Sequence, residues 1–415
     1  MGSLGGAMSS SQITLLVTVT GRDRPGVTSR LFTVLAAHEL SVLDVEQVVI
    51  RGRLVLGVLL SCGSSPDLTA IHRQVTAVAA DLGLDAEITA GSAEPARRRG
   101  SLHVTVLGRE LAPAAIAAIA GRIAANGANI DRISRLAHRP VTCIEFDISG
   151  ADPAELREAL ARESVERGVD VAVQRGGLFR RAMRLVVMDV DSTLVSGEAI
   201  DLLAVRAGCE AKVAELTAAT MRGELEFAAA LRERVALLAG LDAAVLDEVR
   251  AELRLAPGAR TLIRTLRRLG YRCGIVSGGF TQFTDVLAAD LGLDYAAANT
   301  LEIDNGKLTG NITGPVIDRA GKASALREFA ARFGVPLSQT VAVGDGANDL
   351  DMIATAGLGV AFNAEPAVRD AADASVSVPH LDAVLHLLGI SRDEVEAADA
   401  DDTAPDASAE HTART

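Results

Sequence analysis

The sequence predicts an α/β chain in three consecutive parts, two βαββαβ units followed by an open parallel sheet wound with helices. Two observations carry this. "LLVTVTGRDRPGVTSRLFTVLAAHELSVLDV" from 15 realigns with "LHVTVLGRELAPAAIAAIAGRIAANGANIDRI" from 102, so that Val-Thr-Val at 17 recurs at 104. From about 183 to 390, short apolar strands alternate with helical patterns, as a parallel sheet with crossover helices requires. The expected boundaries are 13–92, 100–175 and 183–390, with a tail over 391–415.

Whole-chain numbers agree. At 415 residues and 49% hydrophobic content the chain exceeds one core and can fill several. Apolar stretches such as "LAPAAIAAIAG" from 111 are short of the roughly 18–20 residues of a membrane span. No basic, apolar leader opens the chain, and the expected location is cytoplasmic. "MGSLGGAMSSSQ" reads as a flexible lead or a non-native remnant. Cys62, Cys143, Cys209 and Cys273 are too scattered for a disulfide frame or a zinc site. A net charge of −13 argues against nucleic-acid or anionic-membrane partners. About six of those charges sit in the tail from Ser391, with eight acidic residues against two arginines, a composition expected to be disordered. Lysine is scarce: Lys212, Lys307 and Lys322 stand against 38 arginines.

In the first unit the periodicity places segments near 13–20, 25–38, 41–50, 52–62, 66–83 and 84–90, a ferredoxin-like order. The basic runs "EPARRRG" from 94 and "QRGGLFRRAMR" from 174 read as solvated linkers. In "GRDRPGV" a strand is expected to end at Thr20, and Gly26 opens a helix whose bare N–H groups suit a ligand carboxylate, with Asp23 placed to meet an ammonium group. The simpler reading is that Pro25-Gly26 only starts the helix. On "GRDRPGV" and the repeat, 13–92 and 100–175 resemble ACT domains, small amino-acid-sensing modules, which implies a homodimer or higher homo-oligomer and an amino-acid effector. The second copy has Ala114 near where Gly26 falls, which puts its own effector site in question.

The third part carries the chemistry. "RLVVM" ends in Asp189, followed by Asp191 and Thr193; "RCGIV" ends in Ser277-Gly278-Gly279; "TVAVG" ends in Asp345-Gly346-Ala347-Asn348-Asp349. In open α/β sheets ligands bind beyond the carboxyl ends of strands, so these groups face one cleft. Asp189, Asp191 and Asp345 converging there repel one another unless a hard cation such as Mg²⁺ is present. Ser277 beside two glycines, and Lys322 at a helix start in "DRAGKASA", suit a phosphate.

These four motifs, in this order, resemble the haloacid dehalogenase-like phosphatases over 183–390. The resemblance implies a Rossmann-like phosphatase domain with Asp189 as nucleophile forming an aspartyl phosphate, Asp191 as general acid and base, and Thr193 supporting the loop. It implies that Ser277 and Lys322 clamp the phosphate. Mg²⁺ would rest on Asp189, Asp345 and the carbonyl of Asp191, with Asp349 behind and Asn348 near the substrate.

A helical insertion over 197–255 is similar to the small cap of this superfamily. Its "TMRGELEFAAALRERVALLAG" resembles the cap of phosphoserine phosphatases. By that resemblance Glu198 meets the substrate ammonium, Arg234 its carboxylate, and Met221 and Phe227 wall the pocket. From charge pattern alone Glu198 is a surface residue, Arg234 pairs along its helix, and Met221 and Phe227 are core. The implied activity is Mg²⁺-dependent hydrolysis of O-phospho-L-serine, with serine as feedback effector. The rivals are another phosphatase of the same fold and an amino-acid-sensing regulator with a vestigial phosphatase domain. "DNGK" at 304–307 reads as an Asn-Gly hairpin.

Overall fold

The computed structural model describes residues 13–63, 66–91, 101–221 and 224–403, without the side chains of 178–179, 221 and 402–403. The lead and "EPARRRG" lie largely outside this set, as do residues 404–415.

The first unit runs β1 (Thr14–Arg22), α1 (Val27–Leu35), β2 (Leu40–Ile50), β3 (Arg53–Cys62), α2 (Leu68–Asp81) and β4 (Leu84–Gly91), with sheet order β2-β3-β1-β4. Strand β1 does not end at Thr20: Gly21 and Arg22 still pair with Leu54 and Arg53 of β3. One sheet face buries Leu15, Val17, Val19, Leu54, Leu56 and Val58 against Leu31 of α1 and Ile71 and Val75 of α2. That is the period-2 and period-3.6 pattern meeting in one core.

The second unit repeats the order as β5 (Ser101–Gly108), α3 (Pro113–Ala125), β6 (Asn129–Ala137), β7 (Thr142–Ser149), α4 (Pro153–Arg167) and β8 (Asp170–Arg175), in sheet order β6-β7-β5-β8. Val104, Val106, Phe146 and Ile148 face its own helices. Leu107, Ala137, Cys143 and Ala172 instead share a core with Met183, Val376 and Leu387 of the third part. This second unit and all that follows form one compact body.

The short helix α5 (Leu178–Arg181) leads into β9 (Leu185–Met188). The ribbon of β10 (Val195–Ser196) and β11 (Arg254–Leu255) forms the base of the insertion, which holds α6 (Ala199–Ala207), α7 (Glu210–Met221), α8 (Phe227–Ala236) and α9 (Val245–Glu252). Then come α10 (Ala259–Arg268), β12 (Arg272–Phe280), α11 (Thr281–Leu291), β13 (Tyr295–Asp304), β14 (Lys307–Thr313), α12 (Arg319–Arg332), β15 (Thr340–Gly344) and α13 (Leu350–Thr355). The order closes with β16 (Leu358–Phe362), α14 (Pro366–Ala371), β17 (Ala374–Val376), α15 (Val384–Leu387) and α16 (Arg392–Thr403). The sheet order is β14-β13-β12-β9-β15-β16-β17, parallel except for β14, which the Asn305-Gly306 turn folds back on β13. Central β9 is buried on both faces, Val186 and Met188 toward α10 and α15, Leu185 and Val187 toward α12.

Two expectations are corrected. "QRGGLFRRAMR" is not a solvated linker throughout: Arg180 is buried, donates to the carbonyls of Leu387 (2.9 Å) and His386 (2.7 Å), and pairs with Glu145 of β7. The acidic tail is not disordered from 391. Val395 of α16 enters the shared core, and Asp399 accepts from Arg264 (2.5 Å) and Arg268 (3.2 Å) of α10. Charge composition misjudged both because the partners come from distant segments.

Phe329 of α12 is fully buried against β12, where a Cβ at Gly274 would lie 2.8 Å from its ring. Phe329→Ala is expected to lower the unfolding free energy by about 3–5 kcal/mol, read by urea denaturation followed by circular dichroism.

Candidate active site

Asp189 stands at the carboxyl end of β9, its N–H still bonded to Val343 of β15 (2.8 Å). The chain then leaves the sheet in a single wide turn over Val190–Leu194, with Ser192 in the left-handed region at φ 58°. This turn brings Asp191 to the same cleft, where both its oxygens are engaged. Oδ1 accepts from the N–H of Ala199 (3.1 Å) and Oδ2 from the hydroxyl of Ser277 (2.9 Å).

Ser277 is buried and also accepts from the N–H of Gly279 (2.7 Å). Any side chain at 279 would push on the carboxylate, because a Cβ there would lie 2.8 Å from Asp191 Oδ2. Lys322, in the first turn of α12, places Nζ 2.7 Å from Asp189 Oδ1 and 2.7 Å from Asp349 Oδ1. Thr193 is buried and donates to Asp345 Oδ1 (2.6 Å), so it braces Asp345 instead of lining the cleft. Asp349 also receives the N–H of Gly346 (3.0 Å) on its other oxygen.

The electrostatics follow from crowding. Burial, then the neighbouring Asp349, raise the Asp189 carboxyl well above the usual range against the opposing pull of Lys322. Asp345 is raised to about 6, chiefly by burial, although the Thr193 hydrogen bond opposes the shift. Burial alone would lower the Lys322 ammonium, but Asp189 and Asp349 outweigh it and leave it raised. Carboxylate oxygens of Asp189, Asp345 and Asp349 lie within 4.8 Å of one another. An all-carboxylate set with excess negative charge fits a hard divalent cation and not zinc.

A cavity of about 430 Å³ is lined by Asp189, Asp191 and Lys322 together with Glu198, Phe227 and Arg234 of the insertion. Gly278, Gly279, Asp345 and Asn348 also line it, whereas Ser277, Thr193 and Asp349 lie behind its surface. The side chain of Met221 lies outside the described residues. Arg234 is buried, donates to Thr217 (3.3 Å), and leaves its Nε without a partner. Glu198 is raised to about 7 by burial and by Asp191 and Asp201, partly offset by Arg234.

Several contributors escaped the sequence reading. Asn299, fully buried, donates to the carbonyl of Gly278 (2.8 Å) and accepts from Ile317 (2.7 Å), locking the glycine loop. Thr217, Arg319, Asn363 and Glu365 line the cavity with no motif to announce them.

Comparison with known proteins agrees with this geometry. The model of haloacid dehalogenase-like hydrolases matches 186–354, and ACT-domain models match 13–89 and 101–174. A phosphoserine phosphatase of Streptomyces coelicolor is 61% identical over 94% of this chain and 97% of that protein. The chain belongs to the phosphoserine phosphatase family. Phosphoserine phosphatase SerB2 of Mycobacterium tuberculosis is 54% identical, over 94% of this chain and 97% of that one. A crystal structure of a probable phosphoserine phosphatase from Vibrio cholerae is 35% identical, with TM-score 0.55, covering 69% of this chain and 86% of that one. Like its relatives in the phosphoserine phosphatase family, the chain is a phosphatase built on an α/β sheet behind ACT domains.

In the first unit, a separate cavity of about 370 Å³ is lined by Asp23, Gly26, Thr28 and Gln47. Gly26 caps α1 at φ 90°, with no side chain covering the helix N–H groups, and Thr28 donates to Gln47 (2.9 Å). No described helix is long and apolar enough to cross a membrane.

The raised Asp345 predicts a pH effect on the metal-free enzyme. A carboxyl at about 6 in the fold and 3.8 as its ordinary value holds its proton longer when folded, so stability falls as pH rises through that window. Added Mg²⁺ should therefore raise the thermal midpoint more at pH 8 than at pH 4, measured by scanning fluorimetry.

Proposed function

We propose that this enzyme hydrolyses O-phospho-L-serine to serine and phosphate in a Mg²⁺-dependent reaction. The observation that carries the substrate is the cavity itself: a carboxylate, Glu198, and a buried guanidinium, Arg234, line the same cavity as Asp189 and Lys322. A cation-binding group and an anion-binding group beyond a phosphate site describe a phosphorylated amino acid.

Asp189 attacks phosphorus, the bond from phosphorus to the serine oxygen breaks, and Asp191 delivers a proton to the leaving alkoxide. Asp191 then takes a proton from water, which attacks the aspartyl phosphate and frees Asp189 and phosphate. The bonds from Ala199 and Ser277 hold both oxygens of Asp191 in a fixed orientation for these transfers. Lys322 balances charge on Asp189 and on the phosphoryl group, and Asn348 borders the bound substrate. Ser277, Gly278 and Gly279 shape the phosphate loop, while Thr193 and Asp349 hold Asp345 and Lys322 in place. Asp189, Asp345 and the carbonyl of Asp191 would hold Mg²⁺, which when bound offsets negative charge on the phosphoryl oxygens. The insertion acts as a cap that excludes water, with Phe227 among its apolar walls.

Serine is proposed to bind at the Asp23 and Gly26 cavity and to inhibit, with reciprocal coupling between effector and substrate. A homodimer through the first unit is supported by its edge strand β2, whose Val42, Leu43, Val45, Val48, Val49 and Ile50 are exposed.

Asp189→Asn should abolish turnover with an unchanged circular dichroism spectrum, and surviving hydrolysis would refute the nucleophile. Arg234→Ala should raise KM for phosphoserine by at least about tenfold while sparing a simple aryl phosphate. Equal losses on both would remove Arg234 from the substrate site. Glu198 must be ionised to meet an ammonium, so kcat/KM should fall below about pH 7, and Glu198→Gln should flatten that limb. Asp23→Asn should weaken serine inhibition at unchanged basal rate; full inhibition in that variant would misplace the effector.

A further inference from the structure

The lining of the catalytic cavity includes Asn363 and Glu365, which follow β16. Asn363 lies in the left-handed region at φ 46°, which asparagine adopts more readily than other side-chain-bearing residues. Its N–H donates to the carbonyl of Val376, the last residue of β17 (2.8 Å). The next residue, Ser377, is gripped from the second ACT domain: Asp170, at the start of β8, accepts from the Ser377 N–H (2.7 Å) and from its hydroxyl (2.8 Å). Asp170 is buried, and burial raises its carboxyl while the two Ser377 donors pull it back. The other end of the same edge is also approached from this domain. Arg157 of α4 lies 3.7 Å from Asp373, whose other oxygen accepts from the Gly359 N–H at the start of β16 (3.0 Å).

We propose that Asp170 is a positioning residue for the phosphatase reaction, holding the Asn363–Glu365 wall through Ser377 and β17, so that the second ACT domain is part of the catalytic body. The inference rests on reading this cavity as the phosphoserine site. Two charge-assisted bonds from one buried carboxylate fix both the backbone and the side chain at the end of β17. Strand β17 is the sheet edge and only three residues long, so few other bonds oppose its displacement.

The test uses full-length enzyme and phosphoserine kinetics with Mg²⁺. Asp170→Asn is expected to raise KM roughly three- to tenfold with kcat little changed, and Ser377→Ala, which keeps the backbone bond, to raise it less. Ile119→Val is the control, since Ile119 is fully buried in the second ACT domain's own core and not in the core shared with β17, and it should lower the thermal midpoint without moving KM. Unchanged KM in both Asp170→Asn and Ser377→Ala overturns the proposal, as does an equal rise in Ile119→Val, which would make the effect one of stability alone. If Asp170→Asn does not fold, Ser377→Ala against the control decides. If wild-type enzyme prefers another phosphomonoester, the substrate reading fails separately, and the same comparison is made on that compound.

Discussion

The structure depends on keeping several carboxylates close together beyond the end of one buried strand. Asp189, Asp345 and Asp349 crowd one Lys322 ammonium, and burial makes each charge expensive. Everything nearby is arranged to sustain that crowding. Thr193 braces Asp345, the Gly346 N–H braces Asp349, and Gly344 leaves room for Asp349, since a Cβ there would lie 2.4 Å from its carboxyl carbon. The excess negative charge that remains suits a hard divalent cation.

The same constraint organises the parallel sheet. Central β9 and β15 stop beside each other, and β12 continues past them through an irregularity between Val276 and Phe280, so groups from three separate stretches meet without any strand carrying a charge inside the core. The insertion adds opposite charges, Glu198 and Arg234, and apolar side chains such as Phe227 and Leu231 to the lining of the catalytic cavity. Burial matters as much as identity here: Arg234 is almost out of solvent and its buried Nε has no partner.

The two ACT domains share a βαββαβ order but not a role in packing. In the second, the sheet face turned away from its helices is covered by the phosphatase core through Leu107, Ala137, Cys143 and Ala172. Buried Arg180, joining Glu145 to two carbonyls after β17, and α16, whose Asp393 approaches Arg135 of β6 at 3.9 Å, tie the same surfaces. A repeat in sequence has thus been put to a different structural use.

Residue order alone determined the strand and helix sequence of all three parts, the Asn305-Gly306 turn and the identity of the groups at the strand ends. These are local matters: periodicity, turn chemistry and the place where an apolar run meets an aspartate. Tertiary structure decided what local pattern could not express. Arg180 and the start of the tail read as solvated because their charges are satisfied by distant partners. Asn299 under the glycine loop, and Thr217 and Asn363 in the cavity lining, belong to no motif, and only folding put them there. Even Ser277 and Thr193, visible as motif residues, were given their hydrogen bonds to Asp191 and Asp345 only by the packing of strands far apart in the chain. Burial and pairing are properties of the whole fold, and a charged or polar residue acquires its function only when the fold decides whether water or another side chain faces it.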